Sequence, residues 1–162
     1  MSDTPPTPRI VMLQSLGSAG PRLAALLDGL PPAAADWHAG ADQWSARQVV
    51  THLAAAEAPF FERLQRVARE ANPWLPYFGP DVARPDGDAS LPQALAEFQA
   101  SRQRLVAFLA DLALEDWDRP AVHETMGATN MALQVQNLIN HDREHLAEVH
   151  RMTLLWAEHA HV

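Results

Sequence analysis

The sequence predicts an all-α fold, a four-helix bundle with long connectors, and two observations carry that expectation. Four long segments place apolar side chains at three- and four-residue spacing, the period of a helix with one buried face. Between them lie stretches rich in Pro, Gly and Asp, and no apolar-polar alternation runs far enough to argue a strand. The connectors after the second and third helices are long, so a simple up-down order with tight turns throughout is not required.

Residues 1–8, Pro-rich and without periodicity, read as a flexible N-terminal tail, and 9–162 as a single helical-bundle domain. The first helix opens at Ile10 with Met12, Leu13 and Leu16, then continues through Leu23, Leu26, Leu27 and Leu30. A break or kink is expected at Gly17-Ser18-Ala19-Gly20-Pro21, because proline has no N–H to donate, and Pro31-Pro32 ends the helix. Ser45 is a natural N-cap for the second helix, expected to reach about Ala71 with a kink at Pro59. Its apolar stripe is Val49, Leu53, Ala56, Phe60 and Leu64. Residues 72–90 combine aromatics and prolines and predict a long ordered loop that covers something, with Trp74, Tyr77 and Phe78 as lid or dimer contact. A third helix from Leu91 to Leu112 turns Leu95, Phe98, Leu105 and Leu109 inward, and residues 117–123 read as a loop. The last helix starts near Thr129 or Asn130 and runs toward Ala157, with Val135, Leu138, Val149, Met152 and Trp156 on one stripe.

Composition removes several function classes. Hydrophobic residues make up 48% of the chain and charged residues 20%, the balance of a folded globular protein. The absence of cysteine excludes disulfides, a thiolate nucleophile and sulfur-ligated metal, so any ion must be held by nitrogen and oxygen. All twelve basic residues are arginine, which excludes a Schiff-base lysine and a phosphate-loop lysine. A net charge of -8 works against nucleic-acid binding. No uninterrupted apolar run approaches bilayer length, and the opening Met-Ser-Asp-Thr-Pro-Pro-Thr-Pro lacks the basic and apolar regions of a signal peptide. A cytoplasmic protein without membrane or nucleic-acid partners is therefore expected.

The sharpest chemical signal is His141-Asp142-Arg143-Glu144-His145. Histidines four apart on a helix project about 40° apart, so both can reach one ion. Leu138 before them and Val149 after them put the pair on the apolar stripe, where an imidazole needs a buried partner. His52 sits on the flank of the second helix's core stripe, with Ala54, Ala55 and Ala56 leaving space around it. Facing helices lie about 8–10 Å apart, close enough for His52 to meet the pair. Three histidines and an open position make a site of catalytic type, whereas the plain alternative is hydrogen-bonded core histidines.

The segment Trp44-Ser45-Ala46-Arg47-Gln48-Val49-Val50-Thr51-His52-Leu53-Ala54-Ala55-Ala56-Glu57, with His141-x-x-x-His145 on the last helix, resembles the DinB-like (DinB/YfiT) superfamily. The likeness extends from about Met12 to Trp156. It implies a four-helix bundle, His52, His141 and His145 as ligands of one divalent ion such as zinc or nickel, and often a homodimer. Members with known activities include transferases and isomerases that use low-molecular-weight thiols such as bacillithiol or mycothiol, and many have no assigned activity.

His141-x-x-Glu144-His145 also fits the H-x-x-E-H signature of inverted zinc proteases, which implies a further ligand far downstream. Only residues 146–162 follow, and Glu144 lies about 100° from His145 around the helix, which turns it away from a site inside a bundle. Asn137 and Gln48, one turn before His141 and His52, are pocket candidates or ordinary polar residues at a bundle edge. Glu57 is expected in a surface ion pair, His150, His159 and His161 in solvent, and Trp44 as a staple at the helix start. His38 and His123 fall in loops from which either could enter a pocket mouth.

Two functions follow. One is a metal-dependent enzyme that activates water or an external low-molecular-weight thiol toward a small-molecule substrate, as a hydrolase or thiol S-transferase. The other is a non-catalytic metal-binding or stress-related interaction protein whose ion ties the second helix to the fourth. A fourth protein ligand would favour the second; none is obvious in the sequence.

Overall fold

The computed structural model describes residues 8–79, 83 and 88–161. The tail expected over 1–8 lies outside the described residues, apart from Pro8, which begins α1 (Pro8–Leu27). That helix is continuous through Pro21, without the break that the sequence allowed there. Its packing explains why: Leu16 and Leu23 are fully buried, and Gly20 lets a neighbouring helix approach so closely that a Cβ there would lie 2.9 Å from Gln99 Cγ. With a mean hydropathy of 1.3, α1 is long and apolar enough to cross a membrane by length and composition, yet its apolar stripe is used in the bundle core.

Gly29, at a φ of +71°, turns the chain after α1, and Pro32 opens the single-turn α2 (Pro32–Ala35). Next comes α3 (Ala46–Arg69), which carries a capping box: the Ser45 side chain accepts from Gln48 N, and Gln48 Oε1 accepts from Ser45 N. A second box, Ser90 with Gln93, starts α4 (Leu91–Asp111), and Asn130 caps α5 (Met131–His159) by accepting from Leu133 N at 2.9 Å.

Helix α3 packs against α4 and α5, and so does α1, which leaves α1 and α3 as one diagonal pair and α4 and α5 as the other. Long helices consecutive in the chain are thus adjacent only at α3–α4. This order, which long connectors permit and tight turns would not, is what sets α3 beside α5.

Three short strands were not expected from the sequence: β1 (Trp74–Leu75), β2 (Pro120–His123) and β3 (Gly127–Asn130). They form a sheet in the order β1-β2-β3, parallel between β1 and β2 and antiparallel between β2 and β3. Two to four residues are too few for alternation to emerge in a sequence. Gly127 at φ +72° closes the hairpin, a conformation that favours glycine. The residues read as a loop at 117–123 divide between a 3-10 turn (Leu114–Asp118) and β2. The sheet pins the segment after α3 to the hairpin before α5, through Val122 N to Pro73 O and Glu124 N to Leu75 O, both 2.9 Å.

The apolar core has two parts. One gathers Leu23, Val49, Leu53, Phe98, Leu146 and Val149, the other Leu16, Leu64, Leu105, Leu109, Val135 and Leu138. Between them, on three of the four long helices, stands a buried charge: Glu57 on α3, Arg102 on α4 and Asp142 on α5. Arg102 donates to Glu57 Oε1 at 2.6 Å, to both Asp142 oxygens at 2.5 and 2.9 Å, and to the Leu16 carbonyl of α1 at 3.3 Å. Glu57, expected in a surface pair, is therefore a core residue. Its partner sits 45 residues away on a helix that periodicity alone could not align with it.

Candidate metal centre

His52 comes from α3, and His141 and His145 from successive turns of α5. Each offers a ring nitrogen, and these atoms all lie within 4.8 Å of one another. His52 Nε2 is 3.1 Å from His141 Nε2. Two nitrogens held on one ion at 2.0–2.1 Å and a tetrahedral angle would be about 3.4 Å apart, so this pair already stands near coordination spacing.

The other ring atoms are set for ligation. His52 Nδ1–H donates to the Ala83 carbonyl at 2.6 Å, which leaves Nε2 with the lone pair. His145 Nδ1–H donates to Glu148 Oε2 at 3.0 Å, so its Nε2 is free in the same sense. His141 Nδ1 is buried without a partner among the described residues. Without an ion, the close Nε2 pair requires that His141 donate to His52; an ion held by both Nε2 atoms would take the place of that hydrogen bond. The donor set, three imidazoles and no sulfur, fits a divalent ion of the nitrogen-binding kind.

Electrostatics point the same way. Burial, and then the charges of His145, His52 and Arg102, push His141 down to about 3, and burial lowers His52 against the opposing pull of the Ala83 carbonyl. Both rings are neutral at pH 7, the form that ligates.

The triad opens on an aromatic-walled cavity of about 370 Å³ whose lining includes Trp44, Phe60, Phe78 and Ala83. The loop after α3 thus covers the histidines, through Tyr77 and Phe78. Trp44 does more than staple the helix start: its ring centroid is 4.9 Å from His52 and 6.3 Å, stacked, from His145. A second cavity, of about 380 Å³, adjoins the first; both are lined by Phe60, Tyr77, Phe78 and His141.

Asn137 lines the second cavity, as does His123, from the hairpin. Gln48 does not line either one; its side-chain carbonyl is committed to the cap of α3. That use was readable from Ser45-x-x-Gln48, the capping-box spacing. His38 is exposed and bonded to the Gln43 carbonyl at 2.8 Å. Glu144 is exposed and reaches the rim of the second cavity, away from the triad's own cavity. His150, His159 and His161 are exposed, with His159 stacked on Trp37. Sequence reasoning missed Arg63 and Glu148. Glu148 had a signal, the i+3 position from His145; Arg63 had none, because its setting depends on the loop folding back.

Residues 16–149 match the family model of the DinB superfamily. Two proteins of Oceanobacillus iheyensis named as candidate metal-dependent hydrolases are 26% and 28% identical over 108 residues, 65% of this chain. The chain spans less than two thirds of their own length, 62% and 63%. Among solved structures, YfiT from Bacillus subtilis superposes with a TM-score of 0.78 at 18% identity, covering 94% of this chain and 90% of that one. YfiT is described as a candidate metal-dependent hydrolase with an unusual four-helix bundle topology. At that identity the likeness is one of fold.

Proposed function

This chain belongs to the DinB superfamily, and we propose that it is a metal-dependent enzyme acting on a small molecule, with one divalent ion, zinc or nickel, held by His52, His141 and His145. The observation that carries the reading is the convergence of three imidazoles at the wall of a cavity, rather than inside a sealed core. An ion held there supplies a Lewis acid that makes a bound water or thiol more acidic.

The chain's own residues hold and shield that position. The Ala83 carbonyl and Glu148 fix two of the rings, while Trp44, Phe60 and Phe78 keep the surroundings apolar and limit water. Among the described residues lining the triad cavity none is acidic, so none there would take a proton from the nucleophile. A thiol, whose ordinary pKa is about 8.5, asks less of the protein than water does. The relatives' names favour hydrolysis; the unassisted, cysteine-free cavity favours transfer of an external low-molecular-weight thiol. Family membership also underlies the proposal of a homodimer.

The test is turnover by protein reconstituted with zinc or nickel. One arm supplies esters and amides; the other supplies a low-molecular-weight thiol with an electrophile. Turnover in either arm, abolished by chelation and by His52→Ala, is the expected result. A fully metal-loaded protein inert in both arms would favour the non-catalytic alternative, in which the ion ties α3 to α5.

A further inference from the structure

The cavity beside the triad is lined by a buried cation that has no counter-anion among the described residues. Arg63 is 3% exposed, and its one hydrogen bond among the described residues runs from Nη2 to the Pro76 carbonyl at 2.6 Å. Its Nε is buried and unpartnered, and no described carboxylate pairs with it. A guanidinium has five N–H donors, so four are unused among the described residues. Aromatic faces supply the remaining support: the Arg63 Cζ lies 3.9 Å from the Phe78 ring centroid and 5.7 Å from that of Phe60. Stacking fixes the plane of the fork without neutralising it.

Contrast with Arg102 is instructive. That equally buried arginine is surrounded by two carboxylates and a carbonyl. Burying an arginine is costly unless it is paired, so the unpaired one invites a partner from outside the chain.

The rest of the cavity is of the same kind. His123 Nδ1 accepts from the backbone N–H of Thr125 at 3.3 Å and of Met126 at 3.4 Å, which places the ring proton on Nε2. That Nε2–H makes no hydrogen bond among the described residues. Asn137 and Asn140 contribute amides from α5, and Phe60, Phe78 and Met126 contribute apolar wall. Glu144, at the rim, is the one acidic side chain among the described residues of the lining.

We propose that this cavity binds a small organic anion with an apolar body, its carboxylate or phosphate group on Arg63 and the Nε2–H of His123, and so holds a substrate against His141. The proposal deepens the metal-enzyme reading by naming a substrate class, and depends on that reading only for what happens to the anion once bound. The anion site itself needs no ion in the triad.

Chelator-treated protein labelled with 13C-methyl methionine is titrated with benzoate, phenyl phosphate and the neutral benzamide, while the Met126 methyl resonance, assigned from Met126→Leu, is followed. Saturable shifts with benzoate or phenyl phosphate, at least tenfold tighter than with benzamide, are expected; whichever anion binds more tightly identifies the group. Arg63→Met should weaken the anions at least tenfold and leave benzamide unchanged, and Arg63→Lys should fall between. Equal affinity for anions and benzamide in the wild type, or an undiminished anion affinity in folded Arg63→Met, would overturn the proposal. If Arg63→Met does not fold, the wild-type comparison alone decides. Metal titration of the same samples keeps the two readings apart: protein that binds benzoate but no metal retains the anion site and loses the metal enzyme, and the reverse result does the opposite.

Discussion

Arg102 on α4 grips Asp142 on α5 through both terminal nitrogens, Nη1 to Oδ2 at 2.5 Å and Nη2 to Oδ1 at 2.9 Å, and Asp142 is the immediate chain neighbour of His141. The same guanidinium holds Glu57 on α3, five residues after His52. One arginine therefore fixes both helices that present the triad. Burial tends to lower the Arg102 pKa, but its bonds to Asp142 and Glu57 outweigh that and keep it charged, while burial raises both carboxyls.

Arg102→Met removes the cation and strands two buried carboxylates. It is expected to cost about 3–5 kcal/mol, the cost of breaking a buried pair, and more than Asp142→Asn, which leaves Arg102 matched by Glu57. Urea unfolding of the two variants beside wild type measures this. An Arg102→Met midpoint equal to that of wild type would show that the cluster carries no stability.

The pH dependence of the metal-free protein follows from His141. Its folded value is pushed down to about 3, whereas an unfolded histidine titrates near 6.5. Below about pH 6.5 the unfolded chain takes up a proton that the fold refuses, so stability is complete above that pH and falls as pH drops toward 3. From this residue alone the slope approaches one proton, about 1.4 kcal/mol per pH unit, in addition to whatever the carboxylates contribute. Thermal melts of chelated wild type and His141→Gln between pH 7 and 4 should show a shallower slope in the variant. Parallel slopes would contradict the account.

Glu148 acts through His145. Its carboxylate accepts the Nδ1 proton at 3.0 Å and so turns Nε2 toward the other rings. Such outer partners are worth about 10–100-fold in metal affinity, and Glu148→Gln should lose that much in a chelator competition while its thermal stability without metal barely moves. Unchanged affinity would make the contact a surface pairing only.

Much of the fold was legible because the helices are long and individually patterned. Ser45 and Gln48, Asn130, and the Leu138–His141–His145–Val149 stripe each act locally, and their consequences appear where the spacing puts them. Pro21 does not break α1 because the penalty of proline is local while the packing that offsets it comes from α4. The strands were hidden because β1 is two residues long and its partner lies some fifty residues on. Glu57 and Arg63 escaped for a shared reason. A charged residue beside an apolar stripe looks the same whether water, another helix or a folded-back loop covers it, and only tertiary structure says which. His52 was readable because its face, Val49 before and Ala56 after, already belonged to the core.

The most direct test is metal content by mass spectrometry on untagged protein supplemented with zinc or nickel, comparing wild type with His52→Ala and His141→Ala. About one ion per chain in wild type, lost in both variants, is the expected result for a single site with ligands from α3 and α5. Wild type without metal, or retention in His52→Ala, would contradict a site that spans the two helices.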